Sequence, residues 1–212
     1  RENIVVLLAG GLGKRLRPLT DDVPKPMLKI GDKPILETII LNFVEFGFRR
    51  FFVSVNYKAD IVKSHFGDGS NWDVEIEYLE EDRKLGTAGP LGLLPTRPTN
   101  SVVVMNGDLL TKVDFDLLMN FHAAHKSRAT MCVREYDFQV PYGVVTLDSH
   151  RLMGIEEKPV HRFFVNAGIY VLEPQVLEYV PSNSYFDMPA LFEVLINKGL
   201  ETAAFPIREY WL

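Results

Sequence analysis

Short apolar runs alternate with segments of helical spacing through the first half of the chain. Asn3–Leu8 (NIVVLL) is continuous and ends at glycines, which predicts a buried parallel strand. After a polar loop to about Pro26, Pro34 opens PILETIILNFVEFG, where Ile35, Leu36, Ile39, Ile40 and Phe43 share one helix face and Gly47 suits a C-terminal cap. The pattern then predicts a strand at Phe51–Val55, a short helix at Asp60–Phe66, an alternating strand at Val74–Leu79, a short helix within Gly86–Leu94, a buried strand at Ser101–Met105 and a helix at Asp114–Lys126. Such alternation predicts an α/β, Rossmann-like fold with a mostly parallel sheet between helices.

The second half changes character. Ala129–Arg134, Gly143–Leu147, Leu152–Glu156 and Phe163–Leu172 read as strands with few helices between them, so a smaller mixed or antiparallel portion is expected. A helix at Met188–Lys198 and a strand at Thr202–Phe205 close the pattern. No repeat or linker interrupts it, so residues 1–212 are expected to form one domain. The chain begins at Arg1 rather than Met and stops abruptly at Tyr210-Trp211-Leu212, so the native polypeptide is expected to run further on either side.

Composition narrows the classes. With 47% hydrophobic and 24% charged residues, neither a disordered nor a fibrous chain fits. A formal net charge of -5 argues against a nucleic-acid-binding face. No apolar run approaches a membrane span and no signal peptide is visible. The lone cysteine, Cys132, sits in an apolar run without an activating base nearby, so a small core residue is favoured over a catalytic thiol, and a cytoplasmic location is expected. His122 and His125 are i, i+3 on one helix without a ligand cluster, so packing and surface roles are favoured over metal ligation.

The chemistry concentrates at Leu8–Met27, LAGGLGKRLRPLTDDVPKPM. A buried strand ends and the chain turns on Gly10, Gly11 and Gly13, where backbone N–H groups can meet a phosphate closely. Lys14, Arg15 and Arg17 follow, and Lys25 sits between two prolines. The G-x-G-x-x-G dinucleotide pattern lacks its third glycine, and the Walker pattern is absent. A glycine turn beside solvated cations would account for a bare GGxG but poorly for the whole segment.

This segment resembles the signature of the sugar-1-phosphate nucleotidyltransferases. LGTAGPL at Leu85–Leu91, NGD at Asn106–Asp108, EEKP at Glu156–Pro159 and VNAGIYVL at Val165–Leu172 recur in family order, and LGTAGPL resembles most the hexose-1-phosphate guanylyltransferases. The resemblance implies in-line attack of a sugar-1-phosphate oxygen on the α-phosphorus of a nucleoside triphosphate, with pyrophosphate leaving and Mg²⁺ as cofactor. It implies that Leu8, Ala9, Gly10, Gly11 and Gly13 wrap the nucleotide with Gly86, Thr87 and Asn106. Arg15 would hold the β/γ-phosphates, Lys25 the α-phosphate and Asp108 the metal. Lys14 and Arg17 are either phosphate contacts or solvated cations.

For Asp108, a turn aspartate is the alternative. A second metal carboxylate is expected just beyond Tyr210-Trp211-Leu212. The resemblance further implies that Glu157 binds sugar hydroxyls, that Lys158 binds the sugar phosphate, and that Gly143, Asn166 and Gly168 contact the sugar. A surface salt bridge is the alternative for Glu157 and Lys158, and a buried structural amide the alternative for Asn166. Glu81, a pure acceptor, suits the N1–H and N2 amino donors of guanine better than uracil, which leans the base toward GTP; an acidic surface turn is the alternative. UTP or ATP remains the runner-up. A relative that binds nucleotide sugars without turnover, a homo-oligomer and a fused regulatory domain also stay open.

Overall fold

The computed structural model describes residues 1–11 and 18–211. Eleven strands are assigned among them: β1 Ile4–Leu8, β2 Lys29–Ile30, β3 Lys33–Pro34, β4 Arg50–Val55, β5 Glu75–Glu80, β6 Val102–Asn106, β7 Ala129–Gln139, β8 Gly143–Asp148, β9 Arg151–Glu157, β10 Val160–Leu172 and β11 Thr202–Pro206. The α-helices are α1 Ile35–Glu45, α2 Ala59–Phe66, α3 Phe115–Ala124 and α4 Met188–Asn197.

Seven strands form one mixed sheet in the order β11-β7-β10-β6-β1-β4-β5. The pairs β6/β1, β1/β4, β4/β5 and β11/β7 are parallel, whereas β10 pairs antiparallel with both β6 and β7. The central strands alternate between two cores. Val5 and Leu7 of β1 join Ile39, Ile40, Phe43 and Phe115 on one face. Ile4 and Val6 join Met188, Leu191 and Leu195 of α4 on the other. Phe43 of α1 stacks on Phe115 of α3 at 4.1 Å between ring centroids, which fixes both helices on the first face. Asp114 starts α3 by accepting the Leu117 N–H at 2.9 Å.

The expected short helix in Gly86–Leu94 is a 3-10 turn over Gly89–Leu93. The expected mixed or antiparallel portion is present, and most of it lies within the main sheet. β7 and β10 belong to the main sheet, and only β8 and β9 stand apart as a hairpin. β7 and β10 also outrun the sheet. Their paired ends carry Tyr136, Phe138, Phe163 and Phe164 into solvent.

Candidate active site

The C-terminal ends of β1, β4, β5 and β6 lie at one edge of the sheet, where open α/β folds collect ligands. β1 ends at Leu8, and Ala9 donates its N–H to the Ser54 carbonyl of β4 at 3.0 Å. Glycine at position 10 has a visible cause. A methyl there would collide with the Glu81 carboxylate and lie 3.4 Å from Ser54 Oγ. Glu81 is itself fixed. It accepts hydrogen bonds from the Ser54 hydroxyl and from the Leu85 N–H, the latter at 3.0 Å, and its carbonyl accepts from Asn56 Nδ2 at 2.7 Å. At Gly11, nothing among the described residues lies within 4 Å of the place a methyl would take. Gly13, Lys14, Arg15 and Arg17 lie outside the described residues.

The end of β6 is drawn against the same turn. Gly107 donates to the Leu8 carbonyl at 2.9 Å, an approach that only a residue without a side chain allows. Asp108 follows directly, and its Oδ2 accepts the Lys25 ammonium at 2.5 Å. Lys25 opens a 3-10 turn over Lys25–Met27 that is pinned by buried Pro26 and Met27. The pair is about one-third exposed on both sides, so it adds little to stability. Its importance lies in holding a cation and a carboxylate side by side at the glycine turn.

A metal fits this arrangement in one way. Among the described residues no group of three or more His, Cys, Asp or Glu side chains could hold an ion by itself. A carboxylate oxygen is a hard ligand, and Mg²⁺ typically takes one or two carboxylates with phosphate oxygens and water. Asp108 could therefore supply one ligand to an ion whose other ligands come from outside the protein.

The residues that the sequence motifs assign to a sugar fall in two groups. Gly168 has φ +75°, and a methyl on it would sit 2.5 Å from Asn106 Nδ2, so β10 lies tight beside the end of its sheet neighbour β6. Asn166 is internally engaged. Its Oδ1 accepts the Gly168 N–H at 2.9 Å and its Nδ2 donates to the Tyr170 hydroxyl at 2.8 Å, across the bulge between Asn166 and Tyr170. These bonds hold the amide in place and leave one N–H and one oxygen lone pair over. Gly143 pairs with Glu157 in the β8/β9 ladder, and a methyl on Gly143 would lie 2.9 Å from Glu157 Oε2. Lys158 follows in a left-handed turn with φ 48°.

The LGTAGPL segment is locked from behind. Gly86 has φ +82° and faces the Phe186 carbonyl. Thr87 gives its N–H to Asp187 Oδ1 at 2.9 Å and its hydroxyl to the same oxygen at 3.2 Å, while accepting the Met188 N–H at 2.8 Å. The Thr87 side chain thus ties this loop to the start of α4. Partial burial works to raise the Asp187 carboxyl, but hydrogen bonds from Tyr185 and Thr87, with the Lys84 charge, hold it below the usual value.

Two further groups shape the site. Ser54 is a fully buried hydroxyl in the apolar run FFVSV, and an isolated polar residue in such a strand needs a partner, which Glu81 supplies. Trp211 donates Nε1–H to the Ala167 carbonyl at 2.7 Å and pairs with Thr111, three residues beyond Asp108. Its carbonyl accepts from Arg134 at 3.0 Å. Cys132 is buried, and burial first, then the Glu209 charge, push its thiol well above the usual range, as suits a core residue. His122 is buried against Thr130 and Glu173, and His125 caps its own helix at Phe121.

The family profile described as Nucleotidyl transferase matches residues 4–212. A UTP–glucose-1-phosphate uridylyltransferase of Synechocystis sp. is 31% identical over 98% of this chain and 58% of its own length. A mannose-1-phosphate guanylyltransferase of Mycobacterium tuberculosis is 33% identical over 83% of this chain and 50% of its own length. The chain therefore spans between half and three-fifths of these relatives. The crystal structure of HddC from Yersinia pseudotuberculosis complexed with GMP-PN superposes with a TM-score of 0.72 at 26% identity, covering 99% of this chain and 92% of that one.

Proposed function

The chain belongs to the nucleotidyl transferase family, and from that premise we propose that it joins a nucleoside triphosphate to a sugar-1-phosphate. A sugar-phosphate oxygen attacks the α-phosphorus, the bond to the β-phosphate oxygen breaks, and pyrophosphate leaves. The observation that carries this reading is the Lys25–Asp108 pair held against the Leu8–Gly11 turn by the Gly107–Leu8 hydrogen bond.

Two phosphate esters repel one another, so the protein's work is alignment and neutralisation. Gly10 and Gly11 offer close backbone approach to the triphosphate. Lys25 would turn from Asp108 to the α-phosphate and offset charge at the transferred group. Asp108 would then serve Mg²⁺, which when bound screens the phosphates and weakens the hold on pyrophosphate. Arg15 is assigned the β- and γ-phosphates on the sequence motif. Glu157 and Lys158, together at the β9/β10 turn, are assigned the sugar hydroxyls and the sugar phosphate.

For the base we propose guanine. Both Glu81 oxygens already receive a protein hydrogen bond, yet a carboxylate has about four lone-pair sites, so capacity for two adjacent donors remains. The lone thiol is buried and unpaired, in keeping with a reducing cytoplasm. Pyrophosphate release should be measured with a panel of GTP, UTP, dTTP and ATP against sugar-1-phosphates. Release fastest with GTP is expected. Binding of nucleotide sugar with no release from any pair would replace this reading with a non-catalytic relative.

A further inference from the structure

The turn that leaves β4 for α2, Asn56-Tyr57-Lys58, lies at the same edge of the sheet as Leu8–Gly11, because β1 and β4 run parallel and in register to their ends. It grips two segments at once. Asn56 Nδ2 donates to the Glu81 carbonyl at 2.7 Å. The Tyr57 hydroxyl and the Lys58 ammonium converge on one atom, the Asp21 carbonyl oxygen, at 3.2 Å and 2.5 Å. The ammonium also lies 5.4 Å from the centre of the Tyr57 ring, so the two donors support one another.

The backbone of this turn is strained. Lys58 has φ 55° and ψ 38°, the left-handed region that glycine enters freely and a residue with a side chain enters at a cost. Such strain persists where the surroundings hold it, and it gathers at functional sites. A lysine therefore stands where glycine would fit more easily, and what it adds is its ammonium. The Asp22 carboxylate is 4.0 Å from that ammonium and fully exposed, so this ion pair is weak. The charged hydrogen bond to the Asp21 carbonyl is the firmer hold. Thr20, next in the chain, is 2% exposed, so the clasped residue adjoins one already seated in the protein.

Asp21 lies between Arg15 and Lys25, the cations assigned above to the triphosphate. A segment ordered before its ligand arrives loses less freedom on binding. Resting on that nucleotide reading, we propose that Lys58 and Tyr57 are positioning residues for the triphosphate. They hold the Thr20–Asp22 stretch in place before nucleotide binds, and Asn56 ties the same turn to Glu81. Their effect passes through the segment they hold, so it falls on nucleotide affinity and not on the chemical step.

Lys58→Gly is the diagnostic variant. It removes the ammonium and relieves the backbone, and that relief offsets the greater freedom of glycine in the unfolded chain, so it should melt close to wild type. Tyr57→Phe removes the second donor. Arg97→Ala, which loses only an exposed ion pair with Glu178, is the control. Calorimetry with GTP and Mg²⁺ should show about tenfold weaker binding to Lys58→Gly, the loss expected for one charged hydrogen bond, and a smaller loss for Tyr57→Phe. Pyrophosphate release should show the same rise in KM for GTP, with kcat and the KM for sugar-1-phosphate within about twofold of wild type. Hydrogen exchange over residues 18–23 without ligand should be faster in Lys58→Gly than in wild type or Arg97→Ala. Unchanged GTP affinity, unchanged exchange over 18–23, or a fall in kcat at constant KM overturns the proposal. A wild-type protein that binds GTP but releases no pyrophosphate with any sugar phosphate removes the reaction alone; the calorimetric loss in Lys58→Gly then still upholds the clasp, and its absence overturns it.

Discussion

Gly107→Ala isolates the contact on which the candidate site depends. Gly107 does not occupy the left-handed region, so alanine adds no backbone strain, and the whole effect comes from its methyl. That methyl would stand 2.9 Å from the Leu8 carbonyl oxygen, 3.2 Å from the Leu8 carbonyl carbon and 3.3 Å from Ala9 Cα. These are backbone atoms at the end of a buried strand, so no rotamer change relieves the clash. Regaining ordinary contact requires the end of β6 to retreat by about 0.5 Å. Overpacking of this kind costs about 1–3 kcal/mol of stability. The same retreat carries Asp108 away from Leu8–Gly11. A 1 Å misplacement costs about 100-fold in rate, so half of that should lower kcat about tenfold, or about 1.4 kcal/mol. Steady-state pyrophosphate release and a thermal melt read the two effects. Gly154→Ala is the control, because nothing among the described residues lies within 4 Å of a methyl there. A Gly107→Ala protein that melts and turns over like Gly154→Ala would refute the argument.

Three further outcomes are expected. Lys25→Ala should lower kcat by about 10²–10³ while changing the KM for sugar-1-phosphate little; unchanged turnover removes Lys25 from the chemistry. Glu81→Gln should erode the preference for GTP over UTP, and an unaltered ratio in the triphosphate panel would show that Glu81 serves only the Gly10 turn. Asp187 has a depressed folded pKa, so its stabilisation is full above the unfolded value of about 3.9 and is lost as pH falls through the lower folded value. Melting curves should therefore fall more steeply below about pH 4 in wild type than in Asp187→Asn; parallel curves contradict the assigned partners.

The central strands and helices are legible in the sequence because their patterns are unambiguous. NIVVLL and SVVVM admit only burial on both faces, and the α1 face repeats at 3.6 residues. The Lys25–Asp108 meeting is foreshadowed by residue type but not by separation, since the two positions are 83 apart. β7 and β10 read short because their outer halves alternate charged and aromatic residues without a core to impose a period. For Asn166 the resemblance implies a sugar contact, with a buried structural amide as the alternative; the bulge that delivers Gly168 N–H and Tyr170 to it is a tertiary feature the sequence does not announce. The Thr87–Asp187 lock spans 100 residues and leaves no local trace.

The β8/β9 hairpin contains no buried residue on either strand, whereas the strands that end at Leu8 and Asn106 are almost wholly enclosed. A lone two-stranded ribbon is marginal in water. The two regions therefore differ in firmness: amides of Ile4–Leu8 and Val102–Asn106 should exchange with deuterium only on global unfolding, and those of Val144–Leu147 through small local openings. The strands at one end are set before anything binds, and the ribbon is the part whose shape a bound molecule would still have to fix.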